Sequence, residues 1–129
     1  MTNVEIVHGI YAKLENRPGT LERAAKALGA KHINIDAVTL ETSGEQGFVR
    51  ILTHKSKEAV ETLRANGIEA YESQLAVALL SNRPNELARA AGELAAAGVN
   101  IEGVLTTTDG RLAFRTSDVE RTAQVLRKL

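Results

Sequence analysis

The sequence predicts an α+β protein made of two tandem copies of one β-α-β-β-α-β unit, each an antiparallel sheet with its helices on one face. Three observations carry this. The chain repeats itself at an offset of 66 residues. Strand-like alternation and helix-like i, i+3, i+4, i+7 spacing follow one another in the same order in both halves. The mix of 43% hydrophobic and 25% charged residues over 129 positions suits one ordinary core or two small ones.

The repeat is read first, because a missed repeat spoils every later assignment. Asn16-Arg17-Pro18 recurs as Asn82-Arg83-Pro84. At the same offset Leu21 meets Leu87, Arg23 meets Arg89, Leu28 meets Leu94, Asn34-Ile35 meets Asn100-Ile101, Val38 meets Val104 and Phe48 meets Phe114. From residue 12 to residue 48, 17 of 37 positions are identical without a gap, where chance gives about two. That excess marks a duplication. Ser56-Lys57-Glu58-Ala59-Val60 then resembles Ser117-Asp118-Val119-Glu120-Arg121 at an offset of only 61, so the second copy is shorter between its hairpin and its last helix.

Taken in order, Val4 and Ile6, then Ile10, Ala12 and Leu14, alternate as a strand, with Gly9 as a bend or bulge. Pro18-Gly19 is a turn signal. Leu21, Ala24, Ala25 and Leu28 form the inward stripe of a helix that stops near Gly29. Ile33 to Leu40 reads as a strand, Gly44 to Gly47 as a turn and Phe48 to Thr53 as the hairpin partner. Ser56 is placed to cap a second helix that Asn66-Gly67 ends, and Ile68 to Glu72 is the next strand.

The second copy runs Leu75 to Leu80 as a strand, then Glu86 to Ala97 as a helix with Leu87, Ala90, Ala91 and Leu94 inward. Asn100 to Thr107 and Arg111 to Arg115 make a hairpin. Ser117, with Glu120 three residues on, signals a capping box for the last helix. The first unit is assigned residues 1–72 and the second 73–129. The second lacks a terminal strand. Residues 3–8 are apolar and β-prone, and an open sheet edge needs cover. Two readings stay open: these residues complete the second unit, or they merely lengthen the first strand.

Composition excludes several function classes. Sixteen basic and sixteen acidic side chains give a formal net charge of zero, without the basic excess of a nucleic-acid binder. Four aromatics, Tyr11, Phe48, Tyr71 and Phe114, are too few for a paired base-stacking platform. Without cysteine there is no disulfide frame, thiolate metal site or cysteine nucleophile. No apolar run approaches a membrane span, and the first residues lack the pattern of a signal peptide, so a cytoplasmic protein without nucleic-acid or membrane partners is expected. His8, His32 and His54 show no metal-ligand spacing, and no nucleophile elbow or phosphate-cradling loop is present. An enzyme is not expected, nor a metal or cofactor.

The β-α-β-β-α-β order is the ferredoxin-like arrangement, which hosts many functions. Within it, Leu14-Glu15-Asn16-Arg17-Pro18-Gly19-Thr20-Leu21 resembles the strand–loop–helix opening of ACT domains, written D/N-R-P-G-x-L, and Asn34-Ile35 fits the same family's next strand. The resemblance covers nearly the whole chain, twice. It implies a regulatory module that binds an amino acid or a similar effector, usually between two paired domains. A homodimer or higher assembly through ACT–ACT pairing is then expected. With no room for an attached catalytic domain, regulation would act in trans on a partner enzyme or regulator. The competing reading is a non-catalytic oligomerisation or interaction module without an effector.

The candidate ligand-binding residues are Asn16, Arg17, Pro18, Gly19, Thr20, Leu21, Asn34, Ile35 and Asp36. Gly19 lets a ligand approach the backbone, and the N–H groups of a helix start suit a carboxylate. Asn34 offers donor and acceptor, and Asp36 a partner for an ammonium group. Asn16 and Asn82 serve equally well as turn caps. The second copy has Asn85 for Gly19 and Glu86 for Thr20, which crowd and repel a carboxylate, so the first unit is expected to bind and the second to be degenerate. Gly19→Val is expected to abolish binding and Asn85→Val to leave it intact.

Overall fold

A computed structural model describes residues 2–81 and 83–129, in which ten elements follow one another. They are β1 (Val4–Glu15), α1 (Thr20–Ala30), β2 (Ala37–Ser43), β3 (Gln46–Leu52), α2 (Ser56–Ala65), β4 (Glu69–Ala78), α3 (Glu86–Ala96), β5 (Ile101–Thr106), β6 (Leu112–Thr116) and α4 (Val119–Arg127). The strands are antiparallel and the fold is the expected tandem of ferredoxin-like units. Contacts group the chain into two compact units. One is His8–Ser73; the other joins residues 2–7 to Gln74–Leu129.

In the unit His8–Ser73 the strand order is β2-β3-β1-β4. Even-numbered residues of β1 (Ile10, Ala12, Leu14) pair with Ile51, Val49 and Gly47 of β3, and all of them face α1 and α2. Leu28 and Leu63 fill that space with no exposed surface, each contributing about 2 kcal/mol by burial. Both helices end in the same way. Ile33 N–H donates to the Leu28 carbonyl and Ile68 N–H to that of Leu63, across a left-handed residue, His32 (φ 57°) and Gly67 (φ 74°) respectively. Odd-numbered residues occupy the opposite face. There Tyr11 and Phe48 stack on each other at 5.9 Å, with the Arg50 guanidinium over the Tyr11 ring, so the aromatic faces are used within the protein.

In the second unit the strands run β1-β4-β6-β5, the head of β1 standing at the edge. Val4 is buried in its core with Ala78, Leu94, Phe114 and Leu126. Hydrogen bonds tie this segment to the chain end: Thr2 N–H to the Arg127 carbonyl (3.2 Å), the Thr2 hydroxyl to the Leu129 carbonyl (3.1 Å), and the Arg127 guanidinium to the Val4 carbonyl (3.3 Å). Leu75 and Val77 alternate with Ala76 and Ala78, so they point away from the helices, yet they too are buried. This explains the apolar run at 75–78, the signature of a strand buried on both faces, while Leu79, past the end of the strand, is exposed.

Several local expectations are corrected. Gly9 sits inside the ladder opposite Leu52, so β1 runs through it without a break. The strands expected at 68–72 and 75–80 are one continuous β4. The first hairpin closes on two residues, Gly44-Glu45, between the paired Ser43 and Gln46. Gly47 therefore lies in β3, where a Cβ would come within 3.1 Å of the Leu14 carbonyl oxygen; close approach, not a turn, selects glycine there. Leu21 and Leu87, expected inward, are 41% and 51% exposed. Helical side chains lean toward the N-terminus, so a leucine in the first turn projects past the end of the strands beneath. Ala25 is also exposed.

The register slip begins inside the hairpin. Leu40 faces Val49 and Thr106 faces Leu112, so positions 66 apart on β2 and β5 have partners only 63 apart. Phe114 is thus equivalent to Ile51, not to Phe48. An odd slip reverses faces, which is why Phe114 is fully buried while Phe48 lies on the opposite side of its sheet. The caps shift as well. Ser56 is already helical and its hydroxyl donates to Glu72 (3.1 Å). Ser117 accepts from the Asn100 N–H, and Asp118 caps α4 by accepting from the Arg121 N–H (3.0 Å).

Candidate functional site

The turn between β1 and α1 is fixed by its own side chains. The Asn16 N–H donates to the Glu45 carbonyl (2.8 Å) and its side-chain amide to the Gly44 carbonyl (2.9 Å), which staples the turn to the hairpin tip. The Thr20 hydroxyl donates back to the Glu15 carbonyl (2.7 Å) and lies 3.1 Å from that of Arg17. Arg17 itself pairs with the Glu15 carboxylate. Pro18 is exposed. Gly19 then takes the N-cap position of α1 in a left-handed conformation (φ 88°, ψ −9°), and nothing lies within 4 Å of a Cβ built there.

No side chain caps α1. The N–H groups of Leu21 and Glu22, in the first turn, have no carbonyl within the helix to bond. The result is a donor-rich helix start without a side-chain cap, with open space at the Cβ position of Gly19. Such a corner can hold a carboxylate, since the N–H groups and the positive end of the helix dipole act together.

Beside it runs an open cleft of about 660 Å³, lined by Glu15, Asn16, Arg17, Ser43, Glu45 and Gln46. Of the nine candidate residues, only Asn16 and Arg17 line it. Ser43, Glu45 and Gln46 were missed, because the sequence marks their stretch only as a turn. The signal was topological. In a β2-β3-β1 order the β2–β3 hairpin tip must lie beside the end of β1.

Asn34, Ile35 and Asp36 lie elsewhere. The eleven residues of α1 carry the chain back along the sheet by about 16 Å, to the start of β2. There Asp36 N–H donates to the Leu52 carbonyl, the Asn34 amide donates to Asp36 (2.9 Å), and the His54 imidazole stands 3.5 Å from the other Asp36 oxygen. Ile35 packs against the core. Asn34 and Asp36 are therefore not brought together with Gly19 within this unit. The two groups of candidate residues lie near opposite ends of β2.

In the second unit the equivalent turn is built alike. Asn85 is left-handed at the N-cap (φ 70°), and the Arg89 N–H donates to its carbonyl (2.8 Å) as Arg23 N–H does to that of Gly19 (3.0 Å). Glu86, the first residue of α3, pairs its carboxylate with Arg89 at 3.1 Å. Asn82, the other expected turn cap, falls outside the described residues. Among the described residues no cluster of three metal-ligating side chains occurs, and no helix is long and apolar enough to cross a membrane.

Comparison with known proteins gives a consistent picture. The profile of a family described as an ACT domain pair matches residues 5–129. Among solved structures, a protein of Bacteroides thetaiotaomicron superposes with a TM-score of 0.86 at 23% identity, covering 97% of this chain and 89% of that one. The ligand-free regulatory subunit of aspartate kinase from Thermus thermophilus gives 0.76 at 20% identity, covering 98% and 97%. The corresponding subunit from Thermus flavus gives 0.70 at 18%, covering 98% and 95%. At these identities the likeness is one of fold. No curated protein matches the chain.

Proposed function

The chain belongs to the ACT domain pair family, and on that premise we propose that it is a non-catalytic regulatory protein that binds a free amino acid and acts in trans on a separate enzyme. The observation that carries the reading is the uncapped start of α1 at Gly19, where nothing lies within 4 Å of a Cβ built on that residue. The amino acid's carboxylate docks on these N–H groups, with Asn16, Arg17, Pro18, Thr20 and Leu21 shaping the turn around it. Asn34, Ile35 and Asp36 receive the ammonium group. That two of the solved chains it resembles along almost their whole length are regulatory subunits of aspartate kinase supports action on a separate enzyme.

The separation of the half-sites supports a paired state. β2 is an edge strand, and Val38 and Leu40 stand exposed on it, on the same face as the buried Ile51 and Val49 opposite them. Two copies that pair β2 against β2 about a two-fold axis place the Gly19 end of one beside the Asn34 end of the other. Each complete site then draws its amide cluster from one copy and its Asn34–Asp36 group from the partner.

A thermal-shift screen against the twenty amino acids, followed by sedimentation with and without the best one, tests this. A ligand at a hundred times its Kd adds about 2.7 kcal/mol, several degrees of Tm. One or two amino acids are expected to give this shift and to favour the dimer. No shift with any of them removes the effector reading and leaves an interaction module, which the exposed Leu87 and Val104 of the second unit would also serve.

A further inference from the structure

We draw no further inference here: the strongest candidate, the open cleft between the β1–α1 turn and the tip of the β2–β3 hairpin, belongs to the site already described, and nothing in the structure shows what fills it.

Discussion

Gly19→Asn separates the ligand from the fold more cleanly than any bulkier change. The conformation at residue 19 is left-handed, and its counterpart in the second unit is already an asparagine at φ 70°. Asparagine tolerates that region better than other side chains, at a cost of roughly 0.5–1 kcal/mol against glycine. Stiffening the unfolded chain returns about 0.4–1 kcal/mol. No atom lies within 4 Å of the new Cβ, so no clash is added. Net stability should stay within about 1 kcal/mol of the wild type, a Tm change of at most a few degrees. A ligand carboxylate on the helix start would meet the new side chain, and affinity should fall at least tenfold, about 1.4 kcal/mol, by calorimetry. A folded Gly19→Asn protein that binds as the wild type does would refute the placement of the ligand. A Tm loss beyond ten degrees would refute the equivalence of the two turns. Valine serves neither purpose, because a β-branched residue is strained in this region at both 19 and 85, whatever binds there.

Other consequences can be measured directly. His32→Gly should stabilise the protein by about 0.5–1 kcal/mol in urea denaturation, since His32 holds the left-handed helix-end position that Gly67 and Gly98 fill elsewhere. Removing residues 1–7 should raise hydrogen exchange in α4 by orders of magnitude, because Val4 leaves the core and Arg127 loses its bond to the Val4 carbonyl; unchanged protection there would contradict the pairing. The Tyr71 hydroxyl and the Lys13 ammonium hold the Glu69 carboxyl below its usual range. A lowered folded pKa contributes stability that is full above the unfolded value and is lost as pH falls through the folded one. The stability gap between wild type and Glu69→Gln should therefore be present at pH 7 and close in acid; a gap that widened in acid would reverse that sign.

Much of the fold was legible because duplication states each element twice. The Asn-Arg-Pro pair and the Leu28 and Leu94 stripes located both turns and both helices. What escaped was register. Phe48 and Phe114 match as letters, but strand pairing, not identity, decides which residues are equivalent, and a three-residue difference places them on opposite faces. Gly9 and Gly47 read as breaks because glycine often makes them, whereas here both lie in paired strands. The site was half legible. The motif marks the turn at Gly19 as a candidate, but nothing local announces that a helix of eleven residues carries Asn34 away from it.

β1 is a single uninterrupted strand whose first four residues serve one unit and whose remaining eight serve the other. The protein is therefore not a string of two interchangeable modules, although its gene reads like one. A clone of the back half alone omits a strand that half needs, and a fusion partner grafted close to the start of the chain presses on the half that lies farthest away in sequence. Inheritance follows the same logic: once the opening strand had been lent to the far end, neither half could be shed, shuffled or replaced without rebuilding the other.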